Sequence, residues 1–294
     1  MDTSSEPGEV TVGAVQLETQ DNLAENLERA EQAIASAARR GATLVLLPEN
    51  FAFMGAEEAR REIAEALPAV EVREGGDAQP SRPSGEGPIL QMLRRAAKNH
   101  AIWVIGGGLP ERSSEPARPF NTSVVVGPTG AVEAIYRKIH LFDVDVGDGT
   151  VYRESSATTP GDRAVVTRAA GLGVGLSVCY DLRFPELYRA LADRGADLAT
   201  VPAAFTLMTG KDHWHVLLRA RAIESQMFVV AAAQYGLHPR GRRTYGKSCI
   251  IDPWGDVIAQ CSDGPGVVVA PIARARLTSV RKSLPSLAHR RPIG

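Results

Sequence analysis

Cys179 ends an apolar, glycine-containing run, GLGVGLSV, and opens the segment CYDLRFPE. Glu49 follows a second apolar run, TLVLL, and Lys138 closes a third, AIYRK. Each run reads as a strand, and in α/β proteins reactive side chains gather at strand ends, where a rigid sheet meets open loops. The three groups are chemically complementary. A thiolate is the competent nucleophile, but a free thiol near neutral pH is mostly protonated. A carboxylate within hydrogen-bond reach takes that proton as general base. An ammonium group stabilises the oxyanion formed when a carbonyl is attacked. The Tyr180 amide and the helix starting near Pro185 add positive potential beside the sulfur. Such a set hydrolyses an amide through a thioester, with ammonia as the expected leaving group. It converges only if the three strands are neighbours.

Each residue also has an ordinary reading. Free cysteine is among the most buried residue types. That reading suits Cys249, inside the apolar run SCIID, and Cys261, beside a turn. Glu49 alone fits a helix start, and Lys138 alone a sheet edge. Three cysteines without a CxxC pair make neither a disulfide framework nor a zinc site, and a reducing cytoplasm suits them. Asn121-Thr122-Ser123 matches a glycosylation pattern but reads more simply as part of a strand.

The elements that must position these residues follow from periodicity. In 294 residues, 44% hydrophobic and 23% charged, there is enough apolar material for a sizeable core. A net charge of −1 gives no basic excess for nucleic acid or an anionic membrane, and no apolar run is long enough to span a bilayer. Residues 1–8 read as a disordered leader, and 9–294 as a single domain with a C-terminal tail. Strands are expected over 10–17, 43–47, 102–105, 165–168, 174–178, 198–201, 228–233, 248–251, 257–260 and 267–272. Residues 121–127 and 131–138 flank Pro128-Thr129-Gly130 and form a hairpin. Helices are expected from Asp21 or Asn22 to Gly41, and over 56–67, 88–100, 185–194 and 212–226. The stretch from Pro68 to Gly87 reads as a long exposed loop. Hairpins mixed with helical crossovers predict an α/β sandwich with mixed sheets.

Three local segments, LPENF around Glu49, YRKIHLFD around Lys138 and CYDLRFPE at Cys179, resemble in order and spacing the three signatures of the carbon–nitrogen hydrolase (nitrilase) superfamily. The resemblance runs over nearly the whole chain. It implies a four-layer αββα sandwich, no cofactor, and homodimers or higher homo-oligomers that pack sandwich on sandwich, often through the helix after the cysteine. It gives Glu49 the general-base role, Lys138 stabilisation of the tetrahedral intermediate, and Cys179 the nucleophile's role. It also implies a second glutamate between the lysine and the cysteine. Glu154 in YRES fits that segment, or is a solvated loop carboxylate. Within the superfamily, HWHVLLRARAIESQMFVVAAAQYG and YGKSCIIDPWGDVIAQ resemble the Nit-type branch, whose amidases act on deaminated glutathione or, as ω-amidases, on α-ketoglutaramate and α-ketosuccinamate.

Such substrates are small carboxylates, so the pocket needs a cation. Arg183, just after the nucleophile, is the best placed; otherwise it makes a helix-start salt bridge. Tyr180 and Phe205 line the pocket or are core aromatics. His213 and His215 lie two apart on a predicted helix and point different ways, which disfavours a shared metal. They tune charge recognition or are satisfied helix histidines. The loop from Pro68 to Gly87 covers the pocket mouth or is disordered. Among rival classes, a papain-like protease needs an oriented histidine partner, and the six histidines show no such local signature. Ile105-Gly106-Gly107-Gly108 lacks both common nucleotide-binding patterns. Acyl transfer on the same fold and a catalytically silent dimeric scaffold remain as alternatives.

Overall fold

The computed structural model describes residues 9–70, 86–145 and 151–291. In chain order the strands are β1 (Glu9–Gln16), β2 (Leu44–Leu46), β3 (Trp103–Glu111), β4 (Phe120–Val126), β5 (Val132–Arg137), β6 (Asp143–Asp145), β7 (Val151–Arg153) and β8 (Val166–Ala169). They continue with β9 (Leu172–Leu176), β10 (Leu198–Ala203), β11 (Phe228–Ala233), β12 (Tyr235–Leu237), β13 (Arg243–Tyr245), β14 (Cys249–Ile251), β15 (Val257–Gln260) and β16 (Gly266–Ala273). The helices are α1 (Leu23–Arg39), α2 (Glu57–Glu62), α3 (Pro88–His100), α4 (Pro185–Asp193), α5 (Leu207–Ser225) and α6 (Arg274–Ser283).

Two six-stranded sheets form, in the orders β16-β1-β2-β3-β4-β5 and β15-β14-β11-β10-β9-β8. Each has a parallel centre, β1-β2-β3 and β9-β10-β11, flanked by antiparallel strands. Strand alternation sorts the side chains. In the first sheet Val12, Ala14, Leu44, Leu46, Ile105 and Tyr136 face the second sheet. Val15, Val45, Leu47 and Val104 face α1 and α3. On the second sheet's far side lie α4 and α5. The result is the expected αββα sandwich with mixed sheets.

Local chemistry explains the element ends. Asn22 caps α1, its side-chain oxygen accepting the Glu25 amide at 3.3 Å, and Ala30, Ile34 and Ala37 form the buried stripe. Pro88 opens α3, and the Glu65 carboxylate accepts the amides of Ile89 at 2.6 Å and Leu90 at 3.0 Å. The helix expected over 56–67 is shorter for that reason: Glu65 leaves it to pair with Glu111 in a β-bridge and to cap α3. Helix α5 begins five residues before the expected start. The strand expected at 102–105 runs on to Glu111, past a bulge between Gly106 and Leu109. A Cβ on Gly107 would lie 1.9 Å from the Leu47 carbonyl oxygen, so this glycine permits close backbone approach. Helix α6 and the ribbons β6–β7 and β12–β13 were not expected from periodicity. The leader and most of the loop from Pro68 to Gly87 lie outside the described residues.

Candidate active site

Glu49, Lys138 and Cys179 meet in one place, though not by way of neighbouring strands. Glu49 follows β2 and Lys138 follows β5, with β3 and β4 between them, while Cys179 follows β9 of the other sheet. The expectation that convergence needs adjacent strands is therefore corrected: face-to-face stacking of the sheets brings the ends together. Backbone hydrogen bonds hold each residue in place. Asn50, with φ 58°, donates its amide to the Gly108 carbonyl at 3.0 Å and turns the chain away just after Glu49. The Lys138 amide donates to the Asn121 carbonyl at 2.9 Å. Cys179 has φ 51°, a left-handed conformation unusual for a non-glycine residue, and opens the tight turn Cys179–Arg183.

Lys138 Nζ donates to Glu49 Oε1 at 3.0 Å and to both Glu154 oxygens, at 3.0 and 2.8 Å. Glu49 and Lys138 are almost fully buried, at 3% and 2% exposure, and Cys179 shows 6%. Glu49 Oε1 also accepts Asn121 Nδ2 at 2.9 Å, and its Oε2 accepts the Ala204 amide at 2.9 Å. Glu154 Oε2 accepts the Phe142 amide at 2.7 Å, so Glu154 is tied into the cluster rather than solvated in a loop.

The electrostatics follow from this packing. Burial pushes the Glu49 carboxyl up, but the Lys138 charge, the approach of the Cys179 thiol and the Arg242 charge bring it below the ordinary carboxylate range. Burial works against the Lys138 ammonium, and the charges of Glu154 and Glu49 more than restore it. Burial and then the Glu49 charge push the Cys179 thiol well above its ordinary value, with Lys138 opposing. The resting arrangement is a protonated thiol beside an ionised carboxylate and a fixed ammonium. By contrast, burial pushes Cys249 up to about 12 and Cys261 up to about 11, the charges of Arg40 and Lys247 opposing the shift at Cys261.

A supporting layer lies behind these groups. Asn121 Nδ2 reaches Glu154 Oε1 at 3.4 Å as well as Glu49, so one amide braces both carboxylates. Asp181, fully buried, accepts the Tyr136 hydroxyl at 2.6 Å, the Val178 amide at 2.9 Å and the His140 amide at 3.0 Å. Its Oδ1 also lies 2.7 Å from His140 Nδ1. Tyr136 and His140 stand two residues either side of Lys138. One carboxylate thus joins the cysteine turn to the lysine segment. Arg221 of α5 donates Nε to the Leu182 carbonyl at 3.0 Å and holds the other end of that turn. Sequence reasoning overlooked Asn121, Asp181 and Arg221 as site residues. The available signal was the presence of Asp181 inside CYDLRFPE and of Arg221 inside RARAIE.

The cluster forms the floor of a cavity of about 800 Å³. Tyr180, Arg183 and Phe205 all line it, the Arg183 guanidinium lying 5.9 Å from the Tyr180 ring centre and 5.3 Å from that of Phe205. Arg183 makes no salt bridge among the described residues; its Nη1 lies 3.3 Å from His213 Nδ1. His215 instead pairs with Gln260 Oε1 at 2.8 Å, so the two histidines do point to different neighbours. Among the described residues there is no group of three or more His, Cys, Asp or Glu placed to hold a metal ion. Nor is any helix there long and apolar enough to cross a membrane.

Residues 11–282 match the family model described as Carbon-nitrogen hydrolase. The deaminated glutathione amidase of Synechocystis is 43% identical over 280 residues, covering 94% of this chain and 96% of that protein. The crystal structure of the C. elegans NitFhit protein superposes with a TM-score of 0.85 at 35% identity, over 97% of this chain and 65% of the longer NitFhit chain. A variant of the Nesterenkonia sp. AN1 amidase, with acrylamide added at its active-site cysteine, superposes with a TM-score of 0.73 at 26% identity, over 94% and 98% of the two chains. The chain belongs to the carbon–nitrogen hydrolase family.

Proposed function

We propose that the protein is an amidase that hydrolyses deaminated glutathione through a Cys179 thioester, a metabolite-repair activity. The observation that carries the chemistry is Lys138 bridging Glu49 and Glu154 beside Cys179 at the floor of an arginine-lined cavity. The similarity to relatives of that name supports the substrate.

The steps follow from the geometry. Glu49 takes the thiol proton as Sγ bonds to the amide carbon, and the carbonyl π electrons move to oxygen. Lys138, held by Glu154, and the Tyr180 amide face that oxyanion. When the intermediate collapses, the C–N bond breaks and Glu49 returns the proton to the departing nitrogen. Water then attacks the thioester with Glu49 again as base, releasing the acid and restoring the thiol. From deaminated glutathione the departing amine is the dipeptide cysteinylglycine. Ammonia, expected from the sequence, leaves only from a primary amide such as α-ketoglutaramate. In this reading Arg183 binds the keto-acid carboxylate, and Tyr180 and Phe205 wall the acyl chain.

Hydrolysis of deaminated glutathione and of α-ketoglutaramate, read as 2-oxoglutarate formed by wild type and by Cys179→Ala, tests the proposal. The expected result is preference for deaminated glutathione and no turnover by the variant. Preference for α-ketoglutaramate makes the protein an ω-amidase with the same mechanism. Wild-type activity in Cys179→Ala overturns the mechanism. Inactivity of wild type on both substrates points to acyl transfer or a silent scaffold.

The reading includes a single catalytic domain in a cytoplasmic homodimer. Three unpaired cysteines suit a reducing compartment. Val216, Ile223 and Trp254 are 67%, 43% and 51% exposed on α5 and a nearby turn, which suits contact with a second copy. Sedimentation velocity of the purified protein checks it, and a monomer at micromolar concentration removes the dimer from the proposal.

A further inference from the structure

The cavity contains another guanidinium with no ion pair among the described residues, on a different element from Arg183. Arg242 lies between the turn Pro239–Gly241 and β13 and lines the same cavity. Its Nη2 donates to the Ala204 carbonyl at 2.9 Å. The amide of the same residue, Ala204, donates to Glu49 Oε2 at 2.9 Å. Its guanidinium carbon lies 5.8 Å from the centre of the Tyr152 ring. Its Nε is shut off from solvent and has no hydrogen-bond partner, and no carboxylate pairs with it among the described residues. Arg60, in the same wall, is already engaged, with Glu57 at 3.6 Å and Thr158 Oγ1 at 3.1 Å. Arg240 and Arg243 flank Arg242 but are exposed, so water solvates their charge.

A half-buried guanidinium with no carboxylate in ion-pair contact among the described residues is costly unless an anion completes it. Its planar fork matches a carboxylate. The side of the site it occupies indicates which carboxylate. Glu49 must hand its proton to the departing nitrogen, so the amine half of the substrate lies toward Glu49. Arg242 stands on that flank, linked through the single residue Ala204 to Glu49 Oε2, and its charge is among those that hold the Glu49 carboxyl down. Arg183 belongs to the turn of the nucleophile, which carries the acyl half. Deaminated glutathione has a carboxylate at each end, the keto acid on the acyl half and the glycine terminus on the amine half. The dipeptide spans at most about 7 Å, a length the cavity accommodates.

Resting on the substrate assigned above, we infer that Arg242 binds the terminal carboxylate of the departing amine and so sets the preference for peptide-like amides over primary amides. It is a specificity residue for the amine half of the substrate.

The test compares deaminated glutathione with its C-terminal glycinamide, which keeps the scissile amide and loses only the second carboxylate. Wild type is expected to favour the acid by about 10–100-fold in kcat/KM, the range for a hydrogen-bonded charged group, mostly through KM. Arg242→Met should lower kcat/KM for the acid by that factor and treat acid and glycinamide alike. Arg242→Lys, which keeps the charge but not the fork, should fall between. Thermal melts establish that both variants are folded. If Arg242→Met loses activity equally on the acid, the glycinamide and α-ketoglutaramate, Arg242 acts through Glu49 and the inference is wrong. It is also wrong if the variant keeps the wild-type preference for the acid. If wild type does not hydrolyse deaminated glutathione at all, the functional reading itself has failed, and the inference falls with it.

Discussion

Asp181→Ala removes one acceptor from four donors at once. The Tyr136 hydroxyl at 2.6 Å, the Val178 amide at 2.9 Å and the His140 amide at 3.0 Å lose their partner, as does His140 Nδ1 at 2.7 Å. The His140 side chain is 27% exposed and can turn to water, so its ring contributes little to the penalty. The other three donors lie around a fully buried carboxylate. Leaving a buried donor unsatisfied costs about 1–3 kcal/mol, so the three together cost at least about 3 kcal/mol. That is large for a single substitution. The effect on catalysis has a separate origin. Asp181 joins the turn that holds Cys179 in its left-handed conformation to the residues on either side of Lys138. Without it, sulfur and ammonium lose their fixed separation, so kcat should fall at least tenfold with KM little changed. Urea unfolding and steady-state kinetics measure the two effects. Asp181→Asn keeps one acceptor oxygen and should lie between Ala and wild type in both. A stability loss under about 1 kcal/mol together with wild-type kcat in Asp181→Ala would refute the reasoning.

Lys138→Met should change the pH dependence of stability. In the wild type the Glu49 carboxyl is held below its unfolded value, so its contribution is present above the unfolded pKa and lost as pH falls through the folded one. Without the Lys138 charge, burial dominates and raises the carboxyl above its unfolded value, so the variant should gain in Tm relative to wild type as pH falls from 8 to 5. Parallel Tm–pH curves would count against this electrostatic account. Gly108→Ala would place a Cβ 2.8 Å from Asn121 Oδ1 and 3.2 Å from Glu49 Cγ. It should cost about 1–3 kcal/mol of stability and lower kcat by moving the braced carboxylates. Gly171→Ala is a control with strained φ but no atom within 4 Å of the added Cβ, and it should leave kcat unchanged.

The reactive trio and most of the regular elements were legible in the sequence because their signals are local. A buried strand reads as a short apolar run, a helix as a 3.6-residue stripe, and a hairpin as a Pro-Thr-Gly turn. The elements that were missed lack such signals. The strands of ribbons β6–β7 and β12–β13 are three residues each, too short for alternation to register. Helix α6 carries Arg274, Arg276, Arg281 and Lys282 and buries only Leu277 and Val280, a thin stripe. Gly107 belongs to a glycine run that carries no phosphate-binding pattern, and its role is visible only with the Leu47 carbonyl set against it.

The linear chain carries the inventory: a thiol, a carboxylate and an ammonium at three strand ends, and the alternation of apolar and polar residues that makes two sheets and their covering helices. Packing in three dimensions is what makes strand ends from different sheets meet. It also sets Glu154 to share Lys138 with Glu49, Asp181 to join the cysteine turn to the lysine segment, and Arg242 beside the base with no ion pair among the described residues. These relations connect residues tens to more than a hundred positions apart. They depend on how one sheet stacks on the other: burial created by that stacking disfavours charge on all three groups, and the mutual charges of Lys138, Glu49 and Glu154 keep the carboxyl and the ammonium ionised while the thiol stays protonated.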